Sequence, residues 1–459
     1  MTDSSSGLPA RRAALVLLDG VLRERRGLDD MLAEAHAPKG ALAGLEPRDR
    51  GFARMIVLTA LRRHGQIDTL VKARLDKPLP PRAGPARLIL HMAAAELVFL
   101  ETPAHAAVSA AVALAKSDRN ARHFAGLINA VLRRIAETGA ADAAAQDAGR
   151  LNTPDWLWRS WSSAYGEETA RAIATAHLTE PPLDLSVKHP ADAALWAERL
   201  GGTLLPTGSV RLTEAGRIEE LPGFAEGAWW VQDAAAALPV RLLGEVADRT
   251  VIDLCAAPGG KTAELAARGA HVTAVDRSEK RLLRVRENLA RLGLAAETVA
   301  ADATAWRPAV PAPFVLLDAP CTSTGTMRRH PDIPHLKGPG DVAKLAALQT
   351  RLLEAAVEMT APGGLLVYCV CSLQPEEGER QIDALLTRGA PVSRVPVGAQ
   401  EIGGVGQAVT AAGDLRTLPS FWPGPGGPES GGPELGGPEL GGPELGGMDG
   451  FFAARLRRN

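Results

Sequence analysis

The sequence predicts a multidomain protein: an all-α N-terminal region, a small α+β connector, and a C-terminal α/β domain on a doubly wound, mostly parallel sheet. Three observations predict it. Apolar residues recur at helical spacing across residues 10–138, apolar runs of strand length alternate with helical stretches after residue 246, and 459 residues exceed what one core ordinarily fills.

Composition narrows the class. With 46% hydrophobic and 23% charged residues the chain reads as a soluble globular protein. Its N-terminus, MTDSSSGLPARR, lacks the apolar core of a secretory signal, and no stretch reaches the roughly 18 uncharged apolar residues of a membrane span. A cytosolic location without a membrane partner is expected. Four cysteines, Cys255, Cys321, Cys369 and Cys371, are too few for a disulfide framework. The single residue between Cys369 and Cys371 is shorter than the usual zinc-ligand spacing, so no metal is expected. The net charge of −2 is unevenly spread. Residues 1–140 carry 21 Lys+Arg against 14 Asp+Glu, a balance of +7, which leaves −9 for the rest. An N-terminal part that meets a polyanion is one reading of that split, and an Arg-rich solvated surface is the other.

Helices are expected at 10–24, 48–64, 66–74, 85–98 and 104–115, then along the ladder Phe124, Leu127, Ile128, Val131, Leu132, Ile135. Pro78, Pro80, Pro81 and Pro85 break the helical run. Arg62, Arg63, Lys72, Arg119, Arg122, Arg133 and Arg134 are candidates for phosphate contact, whereas His64, His91, His105 and His123 read as core or surface residues. Nothing in this first domain, 1–140, looks catalytic. The connector, 141–245, should open a helix at Thr153-Pro154-Asp155 and then hold strands at Leu183–Val187, Ser209–Leu212 and Trp229–Gln232, with a helix over 191–200. Trp229 and Trp230 either divide between core and surface or stack on RNA bases.

Residues 246–459 should supply strands at 251–255, 271–275, 297–300, 313–318, 364–370 and 450–456, with helices near 260–268, 278–292, 341–360 and 376–387. Between about 423 and 447 the sequence repeats GGPEL-like units, too rich in glycine and proline to build a core and expected as a flexible insertion.

The chemistry gathers at strand ends. Asp318-Ala319-Pro320-Cys321 closes one apolar run and Tyr368-Cys369-Val370-Cys371-Ser372 another. In open α/β sheets the carboxyl ends of strands line the ligand crevice, so these thiols stand where chemistry occurs. Val251–Thr262 runs from strand through a glycine turn into a helix. Its Gly259-Gly260-Lys261-Thr262 invites a phosphate-loop reading, yet that motif needs glycine where Cys255 stands, and G-x-G-x-x-G is absent. What remains is a turn whose backbone amides are free for a carboxylate or ribose. Asp276 ends the second strand, where an acid can accept both hydroxyls of a ribose, and Asp302 ends the third, where a carboxylate suits an exocyclic amine of adenine. Adenine, ribose and an amino-acid end without phosphate describe S-adenosylmethionine.

Residues 251–262, 318–332 and 366–379 resemble the RNA (cytosine-5) methyltransferases, through Asp-Ala-Pro-Cys at 318–321 and the Cys-Ser pair at 371–372. The order helical domain, connector, catalytic domain is similar to the 16S rRNA methyltransferases of the RsmB (Fmu/Sun) type, whose N-terminal domain is NusB-like and RNA-binding. The resemblance implies a Rossmann-like class I methyltransferase domain, with Cys371 as nucleophile toward cytosine C6, Cys321 as the thiol that assists product release, Asp318 on the nitrogens of the base and Lys261 beside it. It also implies cofactor contacts from Cys255, Ala256, Ala257, Pro258, Gly259, Gly260, Lys261, Asp276, Arg281, Asp302 and Asp318. Arg328 and Arg329 would clamp RNA phosphates. One departure stands out: the family's usual Ser-Thr-Cys-Ser reads Cys369-Val370-Cys371-Ser372 here, adding a thiol and removing a hydroxyl.

The mechanism is sound on first principles. Cytosine C5 is a poor nucleophile until a thiolate adds to C6 and makes the ring enamine-like, and cysteine both attacks and leaves well. A tRNA cytosine-5 methyltransferase would share every such residue, and the NusB-like region favours rRNA. A non-catalytic RNA-binding assembly factor is the rival of another class. The intact set Lys261, Asp318, Cys321 and Cys371 argues against it.

Overall fold

Residues 7–80, 83–422 and 446–459 are described by this computed structural model of the chain, so the GGPEL repeats lie outside the described residues. Two units result, one running through Thr179 with Met327–Gly338 added, the other comprising Glu180–Thr326 and Pro339–Asn459. The 141–245 stretch is thereby divided, its helices going with the first unit and its strands with the second.

The first unit holds α1 (Leu8–Leu22), α2 (Leu28–His36), α3 (Pro47–Arg62), α4 (His64–Lys72), α5 (Ala86–Phe99), α6 (Ala104–Ser117), α7 (Ala125–Ala144), α8 (Ala148–Asn152), α9 (Asp155–Tyr165) and α10 (Glu167–Ala176). The expected ladder of α7 buries Ile128, Val131, Leu132 and Ile135, as the 3.6-residue period requires. α5 is buried almost all round, from Leu88 to Glu96, and lies against α3, α4, α6 and α7 as the central helix. Glu96 would be intolerable in that position alone. Arg11 of α1 meets it at 2.6 Å with both side chains enclosed.

Sequence periodicity misses α2, a nine-residue helix with three buried residues, Leu28, Met31 and Ala35. Its first amide, Leu28 N, donates to Asp332 Oδ2 at 2.9 Å, a partner 304 positions away. Asp332 belongs to the Met327–Gly338 excursion, which also gives the Arg328 carbonyl to Arg62, the Leu336 carbonyl to Arg25, and a 3.0 Å contact from His335 Nε2 to the Leu61 carbonyl. Replacing Asp332 by alanine removes an N-terminal acceptor and is expected to lower the stability of this unit by about 1–2 kcal/mol. Faster amide exchange at the start of α2 should accompany the drop in thermal midpoint, and unchanged exchange there would refute the capping role.

The second unit begins with a four-stranded antiparallel sheet of β1 (Leu183–Val187), β2 (Thr203–Leu204), β3 (Val210–Leu212) and β4 (Trp229–Val231), in the order β2-β3-β1-β4, with α11 (Ala193–Arg199) beside it. Trp229 and Trp230 are both buried, the indole N–H of Trp230 donating to Gln232 Oε1 at 2.7 Å. Stacking on RNA is therefore not their role. Two buried side chains, they anchor the sheet.

After α12 (Ala234–Arg241) come β5 (Thr250–Leu254), α13 (Gly260–Ala267), β6 (His271–Asp276), α14 (Glu279–Leu292), β7 (Glu297–Ala300) and β8 (Ala312–Asp318). The chain then visits the first unit, where α15 (Ile333–Leu336) lies, and returns as α16 (Pro339–Met359), β9 (Thr360–Val370), α17 (Glu379–Thr387), β10 (Val392–Arg394), β11 (Leu415–Thr417) and β12 (Phe451–Arg458). Strands order as β10-β12-β9-β8-β5-β6-β7, with β11 on β12. Pairs among β5 to β9 are parallel, and β12 runs antiparallel to β9, β10 and β11. From β5 the chain steps outward to β6 and β7, then returns to lay β8 on the other side of β5. That reversal is a topological switch point, and it opens a crevice at the carboxyl ends of β5 and β8. β10 and β11 went unexpected because each has three residues, too few for a period to register.

Candidate active site

At the end of β5 the chain bends sharply. Cys255 takes φ +61° and Gly259 φ +103°, and a Cβ on Gly259 would lie 3.0 Å from Val285 Cγ1. Both the left-handed backbone and the close approach of α14 demand glycine at this position. Asp253, fully buried one turn back, accepts from Thr262 Oγ1 at 2.6 Å and so ties the strand to the first turn of α13. Burial pushes its carboxyl up to about 7.

Lys261, second residue of α13, is nearly enclosed and points its Nζ at Asp318 Oδ2, 2.8 Å away, with the Phe451 ring centroid at 4.8 Å. Burial alone would lower the ammonium. The negative charge of Asp318 outweighs it, and the Lys261 pKa is raised above its ordinary value. This cation is committed to a carboxylate, so the glycine turn has no lysine to offer a phosphate. Asp318 also receives Cys369 Sγ at 3.6 Å on its other oxygen. The residue that departs from the family motif thus donates to Asp318, and its thiol is raised by burial and then by that same carboxylate.

Asp276 ends β6 as expected, yet its carboxylate is already engaged. Oδ2 accepts Ala257 N at 3.2 Å and lies 3.2 Å from Arg281, and Oδ1 accepts Ser278 N at 2.9 Å. Arg281 also donates to the Ala257 carbonyl. These bonds hold the Ala256-Ala257-Pro258 stretch against the end of β6. Asp302, beyond β7, is exposed and accepts Thr304 N and Oγ1 on one oxygen, bonds that lower its pKa. Cys255, between these acids, is pushed up to about 12, by burial first and then by Asp318, Asp276 and Asp253.

The two thiols meet. Cys321 lies three residues past β8 and Cys371 one past the neighbouring β9, and their sulfurs are 3.5 Å apart. Both are free and half-buried. The Cys321 thiol is raised well above its ordinary value by its hydrogen bond to Cys371, then by burial and the negative charge around it. Because β9 stops at Val370, Cys369 turns toward Asp318 while Cys371 reaches Cys321.

Next to the residues that follow the two thiols is Glu377, which is fully buried and which no sequence pattern singles out. It accepts from Thr322 and Ser372, the residues that follow the two cysteines. Its place in Pro375-Glu376-Glu377, just before α17, was the available signal. The arginines expected to clamp phosphate fare differently. Arg328 is wholly buried, so it is no phosphate clamp, and Arg329 is half-buried. Arg62 and Arg63 likewise spend their guanidinium groups on the Arg328 and Leu178 carbonyls, and Lys72 pairs with Asp68. Arg119, Arg122, Arg133 and Arg134 remain exposed.

The family model for 16S rRNA methyltransferase RsmB/F matches residues 240–457, and that for the NusB family matches residues 8–137. Ribosomal RNA small subunit methyltransferase B of Vibrio cholerae is 37% identical over 370 residues, spanning 77% of this chain and 85% of its own. The chain belongs to that family. The protein of the same name from Xanthomonas campestris pv. campestris is 37% identical over 414 residues, 86% of this chain and 92% of the relative. The crystal structure of PH0851 shares the fold over 99% of both chains, with TM-score 0.71 at 21% identity. NSun6 from Pyrococcus horikoshii, solved with SFG, aligns over 66% of this chain and 98% of its own at TM-score 0.52 and 19% identity. This ribosomal RNA small subunit methyltransferase B relative is an RNA methyltransferase with an all-helical NusB domain and a Rossmann-like methyltransferase domain. Among its described residues no helix is long and apolar enough to cross a membrane.

Proposed function

We propose that this chain transfers a methyl group from S-adenosylmethionine to C5 of a cytosine in 16S rRNA, through a covalent bond between Cys371 and C6 of the base. The observation that carries the reading is the 3.5 Å approach of Cys321 and Cys371 at the ends of adjacent strands, in the same crevice as the Lys261–Asp318 pair. One thiol suffices for many enzymes. Two converging thiols suit a reaction that must both attach to a base and let it go.

The Cys371 thiolate adds to C6, forming the S–C6 bond and shifting electron density to C5. The Asp318 carboxylate accepts a hydrogen bond from the amino group, and from the ring nitrogen once that nitrogen gains a proton as the density moves, and Lys261 fixes the carboxylate in place. After C5 has gained the methyl group its proton passes to solvent, and the C5–H electron pair re-forms the C5–C6 double bond as the S–C6 bond breaks with the assistance of Cys321, which returns Cys371 as a thiolate and frees 5-methylcytosine. The base must be unpaired or flipped out, because C6 is covered in a stack.

S-adenosylmethionine would supply an electrophilic methyl group. The crevice fits a cofactor without phosphate: Lys261 is tied to Asp318, Arg281 to Asp276, and the exposed acid Asp302 stands at the end of the third strand. Residues 255–261 would border it, with Asp276 and Arg281 fixing the turn and Asp302 facing the adenine. The exposed arginines 119, 122, 133 and 134 would hold RNA phosphates, and an rRNA substrate puts the activity in the cytoplasm. Incubation with methyl-labelled cofactor and unmodified 16S rRNA, followed by digestion to nucleosides, should place the label in 5-methylcytidine. Label in another nucleoside, or in tRNA alone, would replace this reading.

A further inference from the structure

We infer that Glu377 is a positioning residue, one that clamps the two cysteine loops together and sets the separation of their sulfurs. The inference rests on the reading that both thiols serve one base, and it extends to a residue that touches neither sulfur. Glu377 accepts Thr322 N at 2.9 Å on Oε1, and Thr322 Oγ1 and Ser372 Oγ at 2.5 Å each on Oε2. Gln349 Nε2 adds a bond at 3.3 Å, and the same amide reaches the Pro320 carbonyl at 2.9 Å. Thr322 follows Cys321 and Ser372 follows Cys371, so one carboxylate oxygen receives a hydroxyl from each loop.

The surroundings make that oxygen a fixed point. Tyr368 Oη donates to the Glu377 carbonyl at 2.5 Å, Arg416 donates to the Ser372 carbonyl at 2.5 Å, and Gly325 N donates to the Cys371 carbonyl at 3.0 Å. A buried carboxylate is costly unless several donors surround it, and charged acceptors give shorter, stiffer bonds than neutral ones. Four donors surround this one. A neutral amide of the same shape keeps one acceptor oxygen and presents an NH2 in place of the other, so either the two hydroxyls or the Thr322 and Gln349 N–H groups lose their acceptor and the loops gain freedom to part. Because both thiols act about one C5–C6 bond, a displacement of about 1 Å can cost ~10²-fold in rate.

The test is Glu377→Gln, an isosteric change that faces an amide NH2 toward existing donors. Thermal midpoint and S-adenosylmethionine binding report the fold. The distinguishing readout is the equilibrium between the Cys321–Cys371 dithiol and its disulfide in a buffer of oxidised and reduced dithiothreitol, quantified by peptide mapping. In that exchange the two protein thiols are oxidised and oxidised dithiothreitol is reduced to its dithiol, so the equilibrium constant measures the effective concentration of one sulfur at the other. A folded Glu377→Gln protein should show at least a tenfold lower constant, with kcat for methyl transfer reduced about 10–100-fold and KM for RNA unchanged within about threefold. Ser372→Ala, which cuts the clamp on the Cys371 side alone, should lower the constant by a smaller factor of about three to ten, and it decides the question should the first variant not fold. A constant unchanged within twofold in a folded variant overturns the clamp. Because thiol exchange needs neither RNA nor methyl transfer, failure of the proposed reaction and failure of the clamp are separately visible.

Discussion

Cys371→Ala protein should bind S-adenosylmethionine and RNA as well as the parent and transfer methyl groups at least ~10⁴-fold more slowly. The side chain is small and half-buried, and its described side-chain partner is the sulfur of Cys321, so its loss leaves the strand pairing of β9 with β8 and β12 intact. The loss should fall on kcat with KM for RNA little changed, as expected when a bond made during the reaction is removed rather than a binding contact. Cys369→Ala sets the contrast. Cys369 is the nearest alternative in sequence, yet it lies within β9 and donates to Asp318 at 3.6 Å. Its removal should cost less than about tenfold, the worth of one weak donor to a carboxylate. Retained transfer in Cys371→Ala together with loss in Cys369→Ala would reverse the assignment.

The second large effect belongs to Asp318. Asp318→Asn keeps one oxygen, which can still accept from Lys261, but turns an amide NH2 toward the Cys369 sulfur and removes the charge, and it is expected to reduce kcat by about 10²–10³-fold. The fold should tolerate the change to within about 1–2 kcal/mol, because the amide oxygen still accepts from Lys261. Lys261→Ala should be similarly slow, and the double variant should be barely slower than either single one, since the 2.8 Å pair acts as a unit. Additive losses in the double variant would mean that Lys261 has a separate role.

Much of this site was legible because its chemistry is local in sequence. Strand-end position is set by the apolar runs of β5, β8 and β9, and a thiol or acid one to three residues past such a run is brought to the same edge whatever else the fold does. The long helices α5 and α7 were legible for the same reason, through a period repeated over 14 and 20 residues. What escaped depends on distant partners. α2 is capped by an aspartate 304 positions away, Arg328 is drawn into burial among helices that lie far earlier in the chain, and Trp230 is enclosed through Gln232. Glu377 escaped because its meaning arises only when two loops about 50 residues apart place their hydroxyls on one carboxylate. Asp276 was found in its expected place, but its engagement with Ala257 and Arg281 depends on how the turn after β5 folds back, which spacing does not encode.

The decisive measurement uses Cys321→Ala protein with S-adenosylmethionine and unmodified 16S rRNA, resolved on a denaturing gel. With the proposed release thiol absent and the proposed nucleophile present, an RNA–protein band stable to denaturant is predicted, and it should vanish in Cys321→Ala/Cys371→Ala. A band that survives in the double variant would place the covalent bond elsewhere. No band in Cys321→Ala, with both ligands shown to bind, would contradict the covalent route through Cys371.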